Sequence, residues 1–192
     1  MKSSGVASSS DVESGFTLIE LLVYLLFAVV ILTIVGGLLI NSMQTERSVR
    51  STADATNTGQ LIARSVQAGV RNASKVKLVD NAGTQLLTVR TAGMRTPVEW
   101  SCQAWYFTPD AGGTLWSKTV TPAAAIAAPT TSTPAGWSKL AEGVRVGGGP
   151  VFAAVPGLVS MDLRVSAGDQ AAVNFVSRST SRNLESIGAP CF

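Results

Sequence analysis

Residues 15–40 read GFTLIELLVYLLFAVVILTIVGGLLI. Glu20 is the last charged residue before twenty uncharged ones, residues 21–40. A helix of that length, at about 1.5 Å rise per residue, spans about 30 Å and matches the hydrocarbon thickness of a bilayer. An ionised carboxylate inside that layer costs about 2.5–3.5 kcal/mol on insertion scales, so Glu20 at its edge requires a positively charged partner or a function.

The first six of these residues, Gly-Phe-Thr-Leu-Ile-Glu, and the apolar run after them resemble the amino terminus of type IV prepilins and of type II secretion pseudopilins. The resemblance implies that a prepilin peptidase and methylase removes residues 1–15 by cutting after Gly15 and then N-methylates Phe16. It also implies a transmembrane and filament-core helix over residues 16–40. Glu20 then lies about one turn from the new ammonium, and would neutralise that of its own or a neighbouring subunit and so set the register of assembly.

Two other interpretations of the apolar run stay open. A secretory signal peptide has a shorter apolar core, of about 7–15 residues, and is cleaved after it. A plain single-pass anchor accounts for the length but leaves Gly15 and Glu20 unexplained. The leader holds one basic residue, Lys2, against Asp11 and Glu13. Lysine and arginine counts alone therefore do not favour a cytoplasmic amino terminus.

The helix is predicted to continue over residues 41–74, which contain no proline. Apolar residues recur there at three- and four-residue steps, which indicates an amphipathic helix with one face against a sheet. Gly36 with Gly37, and the Ser- and Thr-rich residues 51–59, are poor helix formers and predict a bend or a local loss of helix. The apolar face comprises Leu61, Ile62, Val66, Gly69, Val70 and Ala73.

Residues 75–192 are long enough for one small domain, and their pattern is that of strands. The fold class is therefore α+β, a long amino-terminal helix packed on an antiparallel sheet, which is the order found in pilins. Residues 122–136 are nearly all Ala, Pro, Thr and Ser, with Ile126 the only bulky residue, and predict a flexible surface loop. The predicted strands are 84–91, 98–108, 113–120, 161–165 and 171–178, with Trp100, Cys102, Ala104 and Tyr106 on one face of the second.

Cys102 and Cys191 are the only cysteines of the chain. In a domain that is exported, as the resemblance implies, an even pair is most simply one disulfide. That bond would tie the penultimate residue to a central segment, as the carboxyl ends of pilins are often tied. The alternative is two unpaired, buried thiols.

The composition gives no support for an enzyme. The chain has no histidine, and two distant cysteines do not make a zinc site unaided. Residues 147–149 are three glycines, but they precede Pro150 rather than a helix and predict a turn, not a phosphate-binding loop. We expect no catalytic residue, cofactor or metal.

The resemblance implies a structural subunit of an extracellular or periplasm-spanning filament. The aromatic residues 105–107, a glycine turn and the segment Leu-Trp-Ser-Lys at 115–118 resemble the larger minor pseudopilins and minor pilins rather than a compact major pilin. The partners would be the prepilin peptidase and methylase, other pilin subunits, the inner-membrane assembly platform and membrane lipid. Adhesion, twitching, competence and secretion systems all fit.

Two alternatives accompany this reading. One is a membrane-anchored binding domain that never polymerises. The other is DNA contact through a basic cluster near the helix end, with phosphates on the cations and bases on neighbouring aromatic rings. Removal of the leader takes away one basic and two acidic residues and moves the net charge only from +3 to +4, which favours a solvated face. The basic cluster comprises Arg64, Arg71, Lys75 and Lys77.

Overall fold

The computed structural model describes residues 17–93, 97–181 and 191–192. Within them one long helix, α1 (Leu18–Arg71), precedes nine strands and packs on an antiparallel β head, so the predicted α+β class is confirmed. The strands are β1 (Ala73–Asn81), β2 (Thr84–Ala92), β3 (Trp100–Thr108), β4 (Thr114–Val120), β5 (Ser138–Glu142), β6 (Val144–Val146), β7 (Phe152–Val155), β8 (Leu158–Ala167) and β9 (Gln170–Thr180).

The chain forms two compact units, Met1–Glu46 and Arg47–Phe192, and α1 contributes to both. The helix is continuous through Gly36 and Gly37 and through residues 51–59, so the predicted local loss of helix is wrong. In the second of these stretches the helix is packed against the head. Tertiary packing there outweighs weak helix propensity.

The helix ends at Arg71, three residues before its predicted end. Ala73, predicted on the apolar face of the helix, instead begins β1 and pairs with Thr91 of β2. The head therefore starts two residues earlier than the predicted boundary at residue 75. Backbone pairing with β2 satisfies the polar groups that a further helical turn would otherwise satisfy.

The first sheet is a five-stranded antiparallel meander in the order β1-β2-β3-β4-β5. The predicted strands 84–91, 98–108 and 113–120 correspond to β2, β3 and β4 and are confirmed. Directly opposite residues of neighbouring strands, such as Leu87 and Trp105, point to the same face of the sheet. The register therefore fixes which side chains face the helix and which face away from it.

The second sheet is built around β8, which pairs with β6, β7 and β9. The predicted strands 161–165 and 171–178 lie within β8 and β9, and Gly168 and Asp169 form the turn between them. The hairpin of β8 and β9 is the longest in the described part of the head. It gives the second sheet its length.

Four strands were not predicted from the sequence: β1, β5, β6 and β7. Gly143 separates β5 from β6, and the predicted turn at residues 147–149 lies between β6 and β7. Within this turn the Gly148 N–H donates a hydrogen bond of 3.1 Å to a carboxylate oxygen of Asp162 in β8. The three glycines therefore form a structural turn around a carboxylate, as their position before Pro150 predicts.

The main core lies between the second half of α1 and both sheets. Helix residues there pack with large buried side chains that include Trp105, Phe107 and Phe152. Leu61, predicted on this face, is exposed because it falls outside the three- and four-residue series of the buried positions. The buried helix residues are Ala55, Gly59, Ile62, Val66, Gly69 and Val70.

A second, smaller core covers the opposite face of the first sheet, which we call the outer face. Ile126 of the 122–136 loop is 8% exposed and packs in this core, so the loop has a packing role that the sequence analysis did not assign. Phe192 packs at its edge. Burial there raises the pKa of the Tyr106 phenol, which stays protonated at neutral pH. The buried members are Leu86, Cys102, Ala104, Tyr106, Ile126 and Cys191.

Candidate functional site

The predicted assembly residue Glu20 lies in the first turn of α1. The backbone N–H groups of Glu20 and Leu21 both donate to the Thr17 carbonyl, at 3.1 and 3.3 Å. A carboxylate in the first turn interacts favourably with the helix dipole. Gly15 and Phe16, the predicted cleavage and methylation residues, lie outside the described residues.

The Glu20 side chain has no cationic side chain near it in the sequence. Residues 17–45 contain no lysine or arginine, and the next basic residue after Glu20 is Arg47. In the structure the Glu20 side chain is half-buried, whereas the residues on either side of it are exposed. The described helix around Glu20 therefore offers this carboxylate no cationic side chain.

The described residues leave the apolar surface that follows Glu20 exposed. The large apolar side chains of residues 18–40 are between 46% and 80% exposed. The Thr33 hydroxyl donates to the Val29 carbonyl at 2.7 Å, so this polar group is satisfied within the helix. Of the helices described, α1 alone is long and apolar enough to cross a membrane. Apolar surfaces this extensive mark sites of contact with a membrane or with another protein.

The second half of α1 is held against the head at two glycines. The Phe175 ring of β9 lies against the helix backbone at Gly59, and the Trp105 ring of β3 lies against it at Gly69. A Cβ added at either glycine would overlap the ring it faces. These two glycines therefore let one helix pack closely on both sheets.

Two polar contacts accompany the glycines. The Trp105 Nε1–H donates to Ser65 Oγ at 3.0 Å, and Gln67 Nε2 donates to Ser177 Oγ at 2.8 Å. Neither hydrogen bond was predicted from the sequence, because Ser65 and Gln67 are polar and interrupt the apolar pattern of the packed face. Their positions next to Val66 are the signal that could have identified them.

The predicted disulfide between Cys102 and Cys191 is confirmed. The two Cα atoms are 5.6 Å apart, and the bond closes a separation of 89 residues. Both cysteines are buried in the second, smaller core on the outer face. Next to them, the Lys75 ammonium lies 5.5 Å from the centre of the Phe192 ring. The bond therefore fixes residues 191–192 on the outer face of the first sheet.

The basic cluster is divided between two sides of the head. Val76 and Leu78 pack against the main core, so Lys75 and Lys77, which alternate with them along β1, lie on the outer face. Arg64 is instead an exposed residue of α1, which packs on the opposite face of the first sheet. The structure therefore places Lys75 and Lys77 on a different face of the first sheet from Arg64, and Arg71 is the last residue of α1.

The described residues contain no group of three His, Cys, Asp or Glu side chains that could hold a metal ion. In comparisons with protein-family models, with curated proteins and with solved structures, the chain matched none.

Proposed function

We propose that this chain is a minor type IV pilin or pseudopilin, a structural subunit of an extracellular or periplasm-spanning filament. The observation that carries the proposal is the position of Glu20. It follows the Gly15-Phe16 pair and stands in the first turn of a helix whose apolar surface is left exposed by the described residues. A single-pass anchor needs the apolar surface but not the carboxylate.

Cleavage after Gly15 would supply the missing partner of Glu20. The cut creates an ammonium at Phe16, which is four residues before Glu20 and so about one helical turn away. In an apolar environment an unpaired carboxylate is strongly disfavoured, so pairing with the ammonium of a neighbouring subunit would select one register among many. Removal of the leader would in this way permit assembly.

The same proposal assigns the location and partners of the chain. Before assembly α1 holds the protein in the cytoplasmic membrane, with the head outside the cytoplasm; afterwards α1 packs against the helices of other pilin subunits. The Cys102–Cys191 disulfide supports an oxidising compartment for the head. The partners are the prepilin peptidase and methylase, the assembly platform, membrane lipid and the neighbouring subunits. We propose no catalytic activity.

DNA binding is not part of the proposal. Phosphate contacts add up when several cations face one strand. Lys75 and Lys77 lie on the outer face, whereas Arg64 lies on the helix side. This division favours the interpretation of the basic cluster as solvated side chains.

The amino terminus of the mature protein tests the proposal. We expect mass spectrometry of the protein from peptidase-competent cells to find N-methyl-Phe16 as the first residue. A Gly15→Val variant should keep its leader, because a branched side chain at the scissile position obstructs the approach of a protease to the backbone. Gly5→Val, which alters another glycine of the same leader, should be cleaved normally. An intact leader in the unaltered protein would exclude the pilin function and favour the non-polymerising membrane-anchored domain.

A further inference from the structure

A cavity of about 310 Å³ lies between the 122–136 loop and the outer face of β1 and β2. Val79 and Leu86 line it from the sheet, and Ile126 and Phe192 line it from the covering segments. Its volume corresponds to about ten water molecules at roughly 30 Å³ each, at the lower end of the range of ligand pockets. The lining is mainly apolar, the cavity is partly open to solvent, and Lys77 in its lining is exposed.

Two polar groups of the cavity have no partner in the described residues. Thr88 is 4% exposed, lines the cavity, and has no hydrogen-bond partner for its hydroxyl among those residues. Lys77 also lines the cavity and forms no ion pair within the described chain. The two residues are directly opposite each other in the register of β1 and β2, so their Cβ atoms are about 5 Å apart. A hydroxyl donor and an ammonium donor therefore stand side by side.

The loop side of the cavity is built from small residues. Residues 125–128 read Ala-Ile-Ala-Ala, and the three alanines line the space with methyl groups only. Larger side chains there would fill the space. A bound molecule would bury this apolar lining and give the Thr88 hydroxyl a hydrogen-bond acceptor.

We propose that this cavity binds a small apolar carboxylate. Its apolar body would lie against Val79, Leu86 and Ile126. One carboxylate oxygen would accept a hydrogen bond from the Thr88 hydroxyl and the other from the Lys77 ammonium, which is a charge-assisted pair of contacts. A short-chain fatty acid and the carboxyl terminus of a peptide that ends in an aliphatic residue share this chemistry. The site does not depend on the proposed filament function.

The test uses the full chain in lipid nanodiscs, with the δ1-methyl groups of isoleucine labelled for NMR. Hexanoate should shift the Ile126 methyl resonance saturably, and the Ile62 methyl in the main core should not move. Hexanol and hexylamine have the same alkyl chain without the carboxylate, and should bind at least about tenfold more weakly, as expected for loss of a charge-assisted contact. Equal affinity for hexanol, or no shift at Ile126, would overturn the proposal.

Two substitutions separate recognition from folding. Thr88→Val removes the hydroxyl at nearly constant shape and Lys77→Met removes the ammonium; each should weaken hexanoate binding by about tenfold. The melting temperature of Thr88→Val should be equal to or above that of the original chain, because the hydroxyl has no partner to lose. Lys118→Met, on the same face but outside the cavity, is the control and should bind hexanoate normally. Unchanged affinity in both cavity variants would contradict the assignment.

A third arm identifies the source of the carboxylate. N-acetyl-Gly-Gly-Leu presents a peptide terminus with an aliphatic side chain. Tighter binding of this peptide than of hexanoate supports a peptide terminus as the ligand, and the reverse order supports a free acid. Failure of both probes to shift Ile126 overturns the site.

Discussion

The two halves of α1 are parts of one continuous helix, yet their apolar side chains have different surroundings. In the first half, the large apolar side chains of residues 18–40 are 46% exposed or more, and no described residue covers them. In the second half, Ile62 is 0% exposed, beneath both sheets. The second half therefore stabilises its own domain, whereas the first half is long and apolar enough to cross a membrane and adds nothing to the core of the head.

The glycines repeat this contrast. At Gly36 and Gly37, no described atom other than the chain neighbours and the helix's own backbone lies within 4 Å of where a Cβ would stand. Gly59 and Gly69 each face an aromatic ring that leaves no room for one. Packing against the two rings explains why residues 59 and 69 are glycines. No contact within the described residues explains the glycines at 36 and 37.

The largest expected difference comes from removing one isoleucine in each half. Ile62→Ala should lower the free energy of unfolding of the head by about 2–5 kcal/mol, because it deletes buried methylenes and leaves a cavity. Ile34→Ala, at a position that is 60% exposed, should change it by less than about 0.5 kcal/mol. Denaturant unfolding of the full chain in micelles, followed by tryptophan fluorescence, measures both. Similar losses of unfolding free energy in the two variants would mean that both halves of α1 contribute equally to the stability of the head.

The second comparison adds one methyl group to a glycine in each half. Gly59→Ala should destabilise the head by about 1–3 kcal/mol, since the new Cβ overlaps the Phe175 ring. Gly36→Ala should leave the head unchanged and strengthen the helix by up to about 1 kcal/mol through propensity alone. Thermal unfolding monitored by near- and far-ultraviolet circular dichroism separates the two effects. A stabilised Gly59→Ala head would show that the ring does not lie on the helix.

The smallest comparison removes one hydroxyl. Ser65→Ala should cost the head about 1 kcal/mol, because the Trp105 Nε1–H loses its acceptor within the core. Ser42→Ala, at an exposed serine of the other unit, should have no measurable effect on unfolding of the head. The Trp105 Nε1–H should also exchange with solvent faster in Ser65→Ala, which hydrogen-exchange NMR detects. No change in that exchange would contradict the hydrogen bond.

Much of this fold could be predicted because its long elements carry strong patterns. The apolar run gave the first half of α1, and five of the strands followed from β-rich or alternating segments. Strand β1 was missed because no glycine or proline separates it from the helix and the helical stripe continues to Ala73, although Val76 and Leu78 alternate with Lys75 and Lys77. The alternation typical of a strand was present, but the first two residues of β1 were assigned to the end of the predicted helix.

The remaining errors have other physical causes. Strands β5, β6 and β7 contain five, three and four residues, which is too few for a periodic pattern to be recognised. The packing of Ile126 depends on which face of the sheet the 122–136 loop crosses, and composition does not contain that information. The cavity lined by Thr88 could not be predicted for the same reason, because it forms only where the loop crosses the sheet. The Cys102–Cys191 bond, in contrast, was accessible because the chain offers only one pairing.

The proposed function requires the first half of α1 to pack against other subunits in a register set by Glu20. Replacement of Glu20 by alanine tests it most directly, with Glu46→Ala as the matched loss of a carboxylate farther along the helix. In cells that assemble the filament, both variants should insert in the membrane and lose the leader. The content of Glu20→Ala in sheared filaments should then fall by more than about tenfold, because one partner of an ion pair in an apolar environment is missing. Glu46→Ala should be incorporated like the original chain. Normal incorporation of Glu20→Ala would contradict the account.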